Sequence, residues 1–405
     1  MPPELSAKPL ERRSKLTYHM LSPPVLRRAC MHRHSHPLPA PSLGVQRDVV
    51  SLHFGVPGAG PKVYLQAGLH ADELPGMLVL HHLAQALAAA EQADELIGEV
   101  IVVPVANPIG LGQSVLREPV GRFALHSGDN FNRGYPELAE PVRARLAGQW
   151  GNDGAHNIAL VRAAMRQHLA ELRQDAISEL DVLRLTLLSL ACDADVVVDV
   201  HADTEAIVHL YTETPYWPQA ETLARCLGSE VNLLARGSGV ACSFDEACSQ
   251  PWWQLAESLP AAHPLPLACL AVTLELRGQT DVDEKLAQED AIRLLAFLRH
   301  RGVLRGEPPP LPPLPFPPTP LAGSETVRAD RAGLVTFLRP LGDWVDAGEP
   351  VCELLDPISG TRSTRRASVA GRVYARTTQR YAMLGMELVK IAGSTPFRHG
   401  ALLTA

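Results

Sequence analysis

The chain holds no CxxC pair, and its cysteines number seven, an odd count. That usage argues against a disulfide framework and for the reduced thiols of a cytosolic protein. Cys242 and Cys248 are the only close pair, and their spacing fits no zinc pattern. No apolar run reaches the roughly 18 residues needed to span a bilayer, so no membrane is expected as a partner. The N-terminus, "MPPELSAKPLERRSKLTYHMLSPPVLRRACMHRHSHP", has basic residues but no continuous apolar stretch. It does not read as a secretory signal, and a cytoplasmic location is the expectation. A net positive balance is also absent from the middle of the chain. Residues 1–36 carry seven Lys/Arg against two Asp/Glu, and residues 324–405 carry eleven against eight. The whole chain stands at −7, so residues 37–323 carry −15. An acidic core of this kind argues against nucleic acid as its partner. The basic N-terminal segment reads as a solvated arm.

What is present is a soluble globular composition, 46% hydrophobic and 20% charged, over 405 residues. That length suits two or three domains. The sharpest boundary is "GEPPPLPPLPFPPTPLAG", with nine prolines between Pro308 and Pro320. Such a run forms neither a helix nor a central strand and favours an extended spacer. The organisation expected is an N-terminal extension over 1–39, a main domain over 40–305, a Pro-rich linker over 306–323 and a small β-domain over 324–396.

In the main domain, apolar strands alternate with helical stretches. The strands are "KVYLQAG", "EVIVVPVAN", "ADVVVDVH", "AIVHLYT" and "LACLAVTLEL", several apolar on both faces. Helices are predicted after Pro75 and over roughly 157–174, 178–191 and 282–301. The pattern predicts an α/β fold, with a mixed sheet between helices. After the linker, short strands and Gly turns repeat in two similar halves, which predicts an all-β unit of two related hairpins.

Chemistry gathers at the ends of the apolar strands. "LQAGLHADELPG" sets His70 three residues before Glu73, in a turn between a strand and a helix. Open α/β sheets place their sites there, beyond the carboxyl ends of strands. Alone, the pair is also what a solvated turn presents, and Asp72 is a competing carboxylate. "VVVDVH" brings His201 to the end of a second buried strand, with Asp199 on the same face as an outer partner. Two histidines and a carboxylate are the donor set of a hydrolytic zinc site, which leaves a position for water and brings that water's pKa near 7. Glu275, in "VTLELRG", sits between Leu274 and Leu276. A carboxylate there is costly to bury unless paired, and beside a metal it is a candidate general base. In "HSGDNFNRGYP", Arg133 can grip a carboxylate through two parallel hydrogen bonds and Asn132 can add another. Arg122 can polarise a carbonyl oxygen. The loop "GSGVACSFDEACSQPWW" offers Asp245, Trp252 and Trp253 either as pocket wall or, for the tryptophans, as core.

In chain order, "GLHADELPG", "ANPIG", "NFNRGYP", "DVH" and "TLELRG" resemble the succinylglutamate desuccinylase/aspartoacylase branch of the zinc carboxypeptidase superfamily. The resemblance covers about residues 40–305. It implies a carboxypeptidase-like fold with one zinc ion per subunit on His70, Glu73 and His201. It implies Glu275 as the base that activates water and then protonates the leaving amine. Asn132 and Arg133 would hold a carboxylate, with Arg122 assisting the carbonyl. The implied activity is a deacylase acting on an N-acyl amino acid or similar small amine, and the alternative is a metallocarboxypeptidase acting on short peptides. Two positions depart from the family pattern. Asn130 stands where an aspartate often buttresses the first histidine, and Arg122 lies ten residues before Asn132. Tyr211 and Tyr216 are the nearest tyrosines for a mobile role. The C-terminal unit resembles a lipoyl/biotinyl-like barrel. Its "DPISGTRSTRRASV" hairpin lacks lysine and Lys390 is the only lysine after the linker, so no lipoyl or biotinyl group is expected. Such a unit would shield the site or support a homo-oligomer.

Overall fold

The computed structural model describes residues 31–403. Most of the basic N-terminal arm, with Cys30, lies outside the described residues. The main body is built on a nine-stranded mixed sheet. Its strands in chain order are β1 (His32–Pro37), β2 (Asp48–Gly55), β3 (Lys62–Ala67), β4 (Glu99–Val103), β5 (Val196–Asp203), β6 (His209–Glu213), β7 (Val231–Ala235), β8 (Leu270–Gly278) and β9 (Thr319–Pro320). Their spatial order is β1-β2-β4-β3-β5-β8-β6-β7-β9. The middle four, β4, β3, β5 and β8, run parallel, and β6 returns antiparallel beside β8.

Six helices of more than ten residues cover the sheet: α1 (Pro75–Gln92), α2 (Gly154–Asp175), α3 (Glu179–Ala191), α4 (Trp217–Leu227), α5 (Phe244–Ser258) and α6 (Glu284–His300). α1, α4 and α6 pack together, while α2, α3 and α5 form the second group. Because both faces are covered, β3, β4, β5 and β8 are buried almost throughout and read as continuous apolar runs. The predicted helices lie within a few residues of those observed. β1, β2, β7 and β9 add to the predicted strands.

Two ends of the body behave differently from the spacing argument. His32–Pro37, within the stretch read as an extension, pairs antiparallel with β2 and forms the sheet edge. The proline-rich segment does not hang free: Leu311 and Leu314 pack on the core, Arg225 donates to the carbonyls of Leu311 and Pro312, and Thr319–Pro320 pairs with β7.

The C-terminal strands form two small sheets rather than one closed barrel. Ser324–Arg328, Glu387–Gly393, Gly371–Arg376 and Trp344–Val345 make one, extended by Glu205–Ala206 of the main body. Arg362–Arg366, Pro350–Leu355, Gly333–Phe337 and Tyr381–Ala382 make the other. Each sheet draws strands from both halves of the repeat, so the halves interdigitate rather than stand as separate hairpins. The physical reason is burial. A lone two-stranded hairpin is marginal in water, whereas the interleaved arrangement encloses Val335, Val345, Val351, Leu354, Val373 and Ile391.

Two glycines position the site. A Cβ on Gly76 would lie 2.8 Å from Val200 Cγ1 and 3.0 Å from Ala67 Cβ, so the start of α1 can press on β3 and β5 only as glycine. A Cβ on Gly121 would lie 2.3 Å from the Asp72 nitrogen. The same contact carries a hydrogen bond from Ala71 N to Gly121 O at 3.0 Å, which docks the Arg122 loop against the His70 turn.

Candidate metal centre and its cavity

His70 and Glu73 lie in the turn between β3 and α1, and His201 lies near the end of β5, where the parallel strands stop. One donor atom from each falls within 4.8 Å of the others, and all three residues are buried. His70 Nδ1 is 3.0 Å from Glu73 Oε1 and His201 Nδ1 is 2.7 Å from Glu73 Oε2. Glu73, not Asp72, completes the group. Asp72 lines the cavity, with Oδ2 3.4 Å from Gln279 Nε2.

The outer nitrogens of the two rings are anchored as metal-ligating imidazoles require. Nε2 of His70 is 2.9 Å from Asn130 Oδ1, and Nε2 of His201 is 2.9 Å from Asp199 Oδ2. An Nε2–H donated to each oxygen leaves the Nδ1 lone pair of each ring directed at the cluster. Asp199 is fixed in turn by Gln66 Nε2 at 2.9 Å, and Gln66 by Tyr64 OH at 2.9 Å. Asn130, at the position where the sequence pattern leads an aspartate to be expected, offers an amide oxygen as the acceptor for His70.

Burial pushes the His70 ring down to about 4, with Arg122 contributing, so the ring is neutral. Burial also opposes charge on His201, but the Asp199 and Glu73 carboxylates overcome it and raise the ring well above its ordinary value, so this ring has to release its Nδ1 proton for a metal to bind. Two imidazole nitrogens with one carboxylate, converging from two rigid elements, suit zinc.

Glu275 stands beside His201 in the parallel β5–β8 register and opposite His209 of β6. Its Oε2 is sealed from solvent and has no hydrogen-bond partner. Burial first, then the negative charge of Glu73, push its carboxyl up to about 8, and a cation held by the cluster would oppose that shift and favour the carboxylate that a base requires. Just beyond it β8 bulges: Arg277 adopts φ +60° and its guanidinium pairs with buried Asp290. A bulge of this kind re-aims neighbouring side chains.

Arg122, Asn132 and Arg133 all line the same cavity of about 460 Å³. Arg122 Nη1 is 3.1 Å from Glu73 Oε1 and 3.2 Å from His70 Nδ1. Asn132 Oδ1 accepts from Phe244 N at 2.9 Å, and Arg133 Nη1 donates to Asn132 O at 2.7 Å. Asp245 and Tyr211 also line the cavity, whereas Tyr216, Trp252 and Trp253 do not. Trp252 is core, and Tyr216 OH donates to Ser249 O. Cys242 and Cys248 are free, buried thiols.

The C-terminal unit supplies part of the wall. Thr378, Gln379 and Lys390 line the cavity, and Lys390 Nζ meets Asp203 Oδ2 at 2.6 Å. Sequence reasoning weighed Lys390 only as a modification site. Its apolar flanks in "ELVKIAG" mark a lysine in a buried strand, which was the available signal.

A model of the succinylglutamate desuccinylase/aspartoacylase catalytic domain matches residues 59–301. The chain belongs to this family. Its members are amide hydrolases, and the match spans every residue of the candidate centre. No curated protein matches the sequence. Among solved structures, a protein assigned to the succinylglutamate desuccinylase/aspartoacylase family from Shewanella amazonensis SB2B is 28% identical with a TM-score of 0.78, over 89% of this chain and 98% of that one. Another, from Shewanella frigidimarina NCIMB 400, is 24% identical with a TM-score of 0.80, over 90% and 97%. The product-bound ectoine utilization protein EutE (DoeB) from Ruegeria pomeroyi, 19% identical, shares the fold with a TM-score of 0.63, over 91% and 97%. Among the described residues no helix is long and apolar enough to cross a membrane.

Proposed function

We propose that this family member is a zinc-dependent amidohydrolase that removes the acyl group from the nitrogen of an amino acid or related small amine. The observation that carries this reading is the His70–Glu73–His201 cluster with the unpartnered Oε2 of Glu275 on the neighbouring strand. His70 Nδ1, Glu73 and His201 Nδ1 would hold the ion. When bound, zinc supplies Lewis acidity, which polarises the amide carbonyl and eases deprotonation of water.

The remaining chemistry falls to side chains. Glu275 takes the proton of the attacking water as the new C–O bond forms. It returns that proton to the nitrogen as the C–N bond breaks, giving a carboxylate and a free amine. Arg122, already within hydrogen-bond distance of Glu73, is placed to donate to the carbonyl oxygen as negative charge builds. Arg133 and Asn132 receive the substrate's carboxylate. Asn130 and Asp199 hold the two imidazoles in the required tautomer.

The unit over 306–396 follows the hydrolase body as linker and β-domain, and its lipoyl/biotinyl-like strands shield the site. A cavity of about 460 Å³ that borrows wall from Thr378, Gln379 and Lys390 suits a small ligand better than an extended peptide. That favours deacylase over carboxypeptidase. The test is turnover of a panel of N-acetyl and N-succinyl amino acids against dipeptides, with zinc-loaded protein. Turnover of the acyl panel is expected. Cleavage of dipeptides alone would favour the peptidase.

A further inference from the structure

The cavity continues past the His70–Glu73–His201 cluster. His209, Tyr211 and Glu213 share one face of β6. His209 is opposite Glu275 and Tyr211 opposite Thr273. Glu213 therefore stands four residues along the strand from the level of Glu275, about 13 Å away at the usual strand rise. Glu275, Tyr211, Thr273 and Glu213 all line the cavity, so one space joins the two levels.

Glu213 is built as an acceptor with half its capacity used. It is only 5% exposed. Ser249 Oγ and Trp253 Nε1 donate to its Oε2 at 2.6 and 3.0 Å, fixing the carboxyl plane. Its Oε1 has no partner. Ser238, which also lines this part, leaves its hydroxyl unpartnered.

Most other charges near this part of the wall are matched, Glu275 beside the metal cluster apart. Arg122 pairs with Glu73 and Lys390 with Asp203. Arg133 feels Asp245 and Glu246. Glu246 itself accepts from the backbone nitrogens of Ser238 and Ser243. Among the described residues no cation pairs with Glu213. An isolated carboxylate in such surroundings is costly, and burial, with Asp245 and Glu246 nearby, pushes its carboxyl up to about 7. An arriving ammonium would remove that cost.

Resting on the deacylase reading above, we propose that Glu213 receives a positively charged group on the amine portion of the substrate. The preferred substrate is then an N-acyl basic amino acid or diamine whose second nitrogen is free. The separation of the two levels suits a long aminoalkyl chain, not a charge at the α-carbon.

The test compares Nα-acetyl-L-lysine with Nα-acetyl-L-norleucine, the same chain without its terminal amino group, using the zinc-loaded full chain and its Glu213→Gln variant. The wild type is expected to favour the lysine compound by about tenfold or more in kcat/KM. The variant should lose that ratio, chiefly through KM. An equal ratio in both proteins, or a wild-type preference for norleucine, overturns the proposal. Calorimetric binding of free L-lysine and L-norleucine separates this result from a failure of the deacylase reading. If neither acetyl compound turns over but lysine binds the wild type alone, the charge site stands without the reaction. Equal binding, or none, removes it. Should Glu213→Gln fail to fold, Glu213→Asp keeps the charge but withdraws it by one methylene. The ratio of Nα-acetyl-L-lysine to Nα-acetyl-L-ornithine should then rise, and an unchanged ratio refutes the site.

Discussion

Glu275 and His201 occupy paired positions on neighbouring parallel strands, with Oε2 of Glu275 unpartnered where the strands end. The sheet register therefore fixes the distance between the candidate base and a candidate ligand, without help from loops. Replacing Glu275 by Gln preserves shape while removing the basic oxygen. We expect Glu275→Gln to retain zinc at wild-type stoichiometry and to lose about a hundredfold or more in kcat. Metal content and turnover measured on the same preparation check this, and near-normal turnover would sink the role.

Asn130 provides a separable test of the ring anchors. Its Oδ1 accepts from His70 Nε2 and from Asn132 N, each at 2.9 Å. Asn130→Ala should weaken zinc affinity by roughly 10–100-fold, and Asn130→Asp should restore it. Competition with a chromogenic chelator measures both. In the wild type, chelation should abolish activity and added zinc should return it. Activity that survives complete chelation contradicts a metal role.

The parts of this site that were legible share one property: a local pattern announces them. "GLHADELPG" and "VVVDVH" each join an apolar strand to a polar turn, and Glu275 interrupts a β-branched run. The parts that were not legible depend on long-range pairing. Asn130 reaches His70 across 60 residues, and only folding shows that its amide oxygen replaces the expected carboxylate. The Arg122 loop is seated by backbone contact at Gly121, which no spacing from Asn132 could reveal. Glu213 sits one residue past the predicted end of its strand and is defined by Ser249 and Trp253 on α5. The exchange of strands between the two C-terminal halves was hidden for a related reason. Similar halves carry the same alternation, so the pattern cannot say which strands pair.

Lys390 couples the C-terminal strands to the body. Its ammonium meets Asp203, two residues after His201, and Asp203 is held well into its charged form against burial. Lys390→Met leaves that carboxylate without its cation. The expected cost is about 1–3 kcal/mol in urea unfolding. Lys390→Arg should recover part of it. A Lys390→Met protein as stable as wild type would show that the pair does not hold the two parts together.

Glu213 sets a pH dependence whose sign differs from that of most carboxylates. Its folded value of about 7 lies above the ordinary 4.5. Between these values the folded state keeps a proton that the unfolded state has released, so stability falls as pH rises through that window. Above about pH 7 the full loss is felt, at most about 3 kcal/mol. Below about pH 4.5 the group contributes no difference. Glu213→Gln carries no titrating proton, and its amide oxygen can still accept from Ser249 and Trp253. The variant should therefore match wild type near pH 4.5 and exceed it increasingly towards pH 8. Urea unfolding of both proteins across this range checks the trend. A gap that is constant with pH, or that narrows as pH rises, would mean that the Glu213 carboxyl is not held up by its burial.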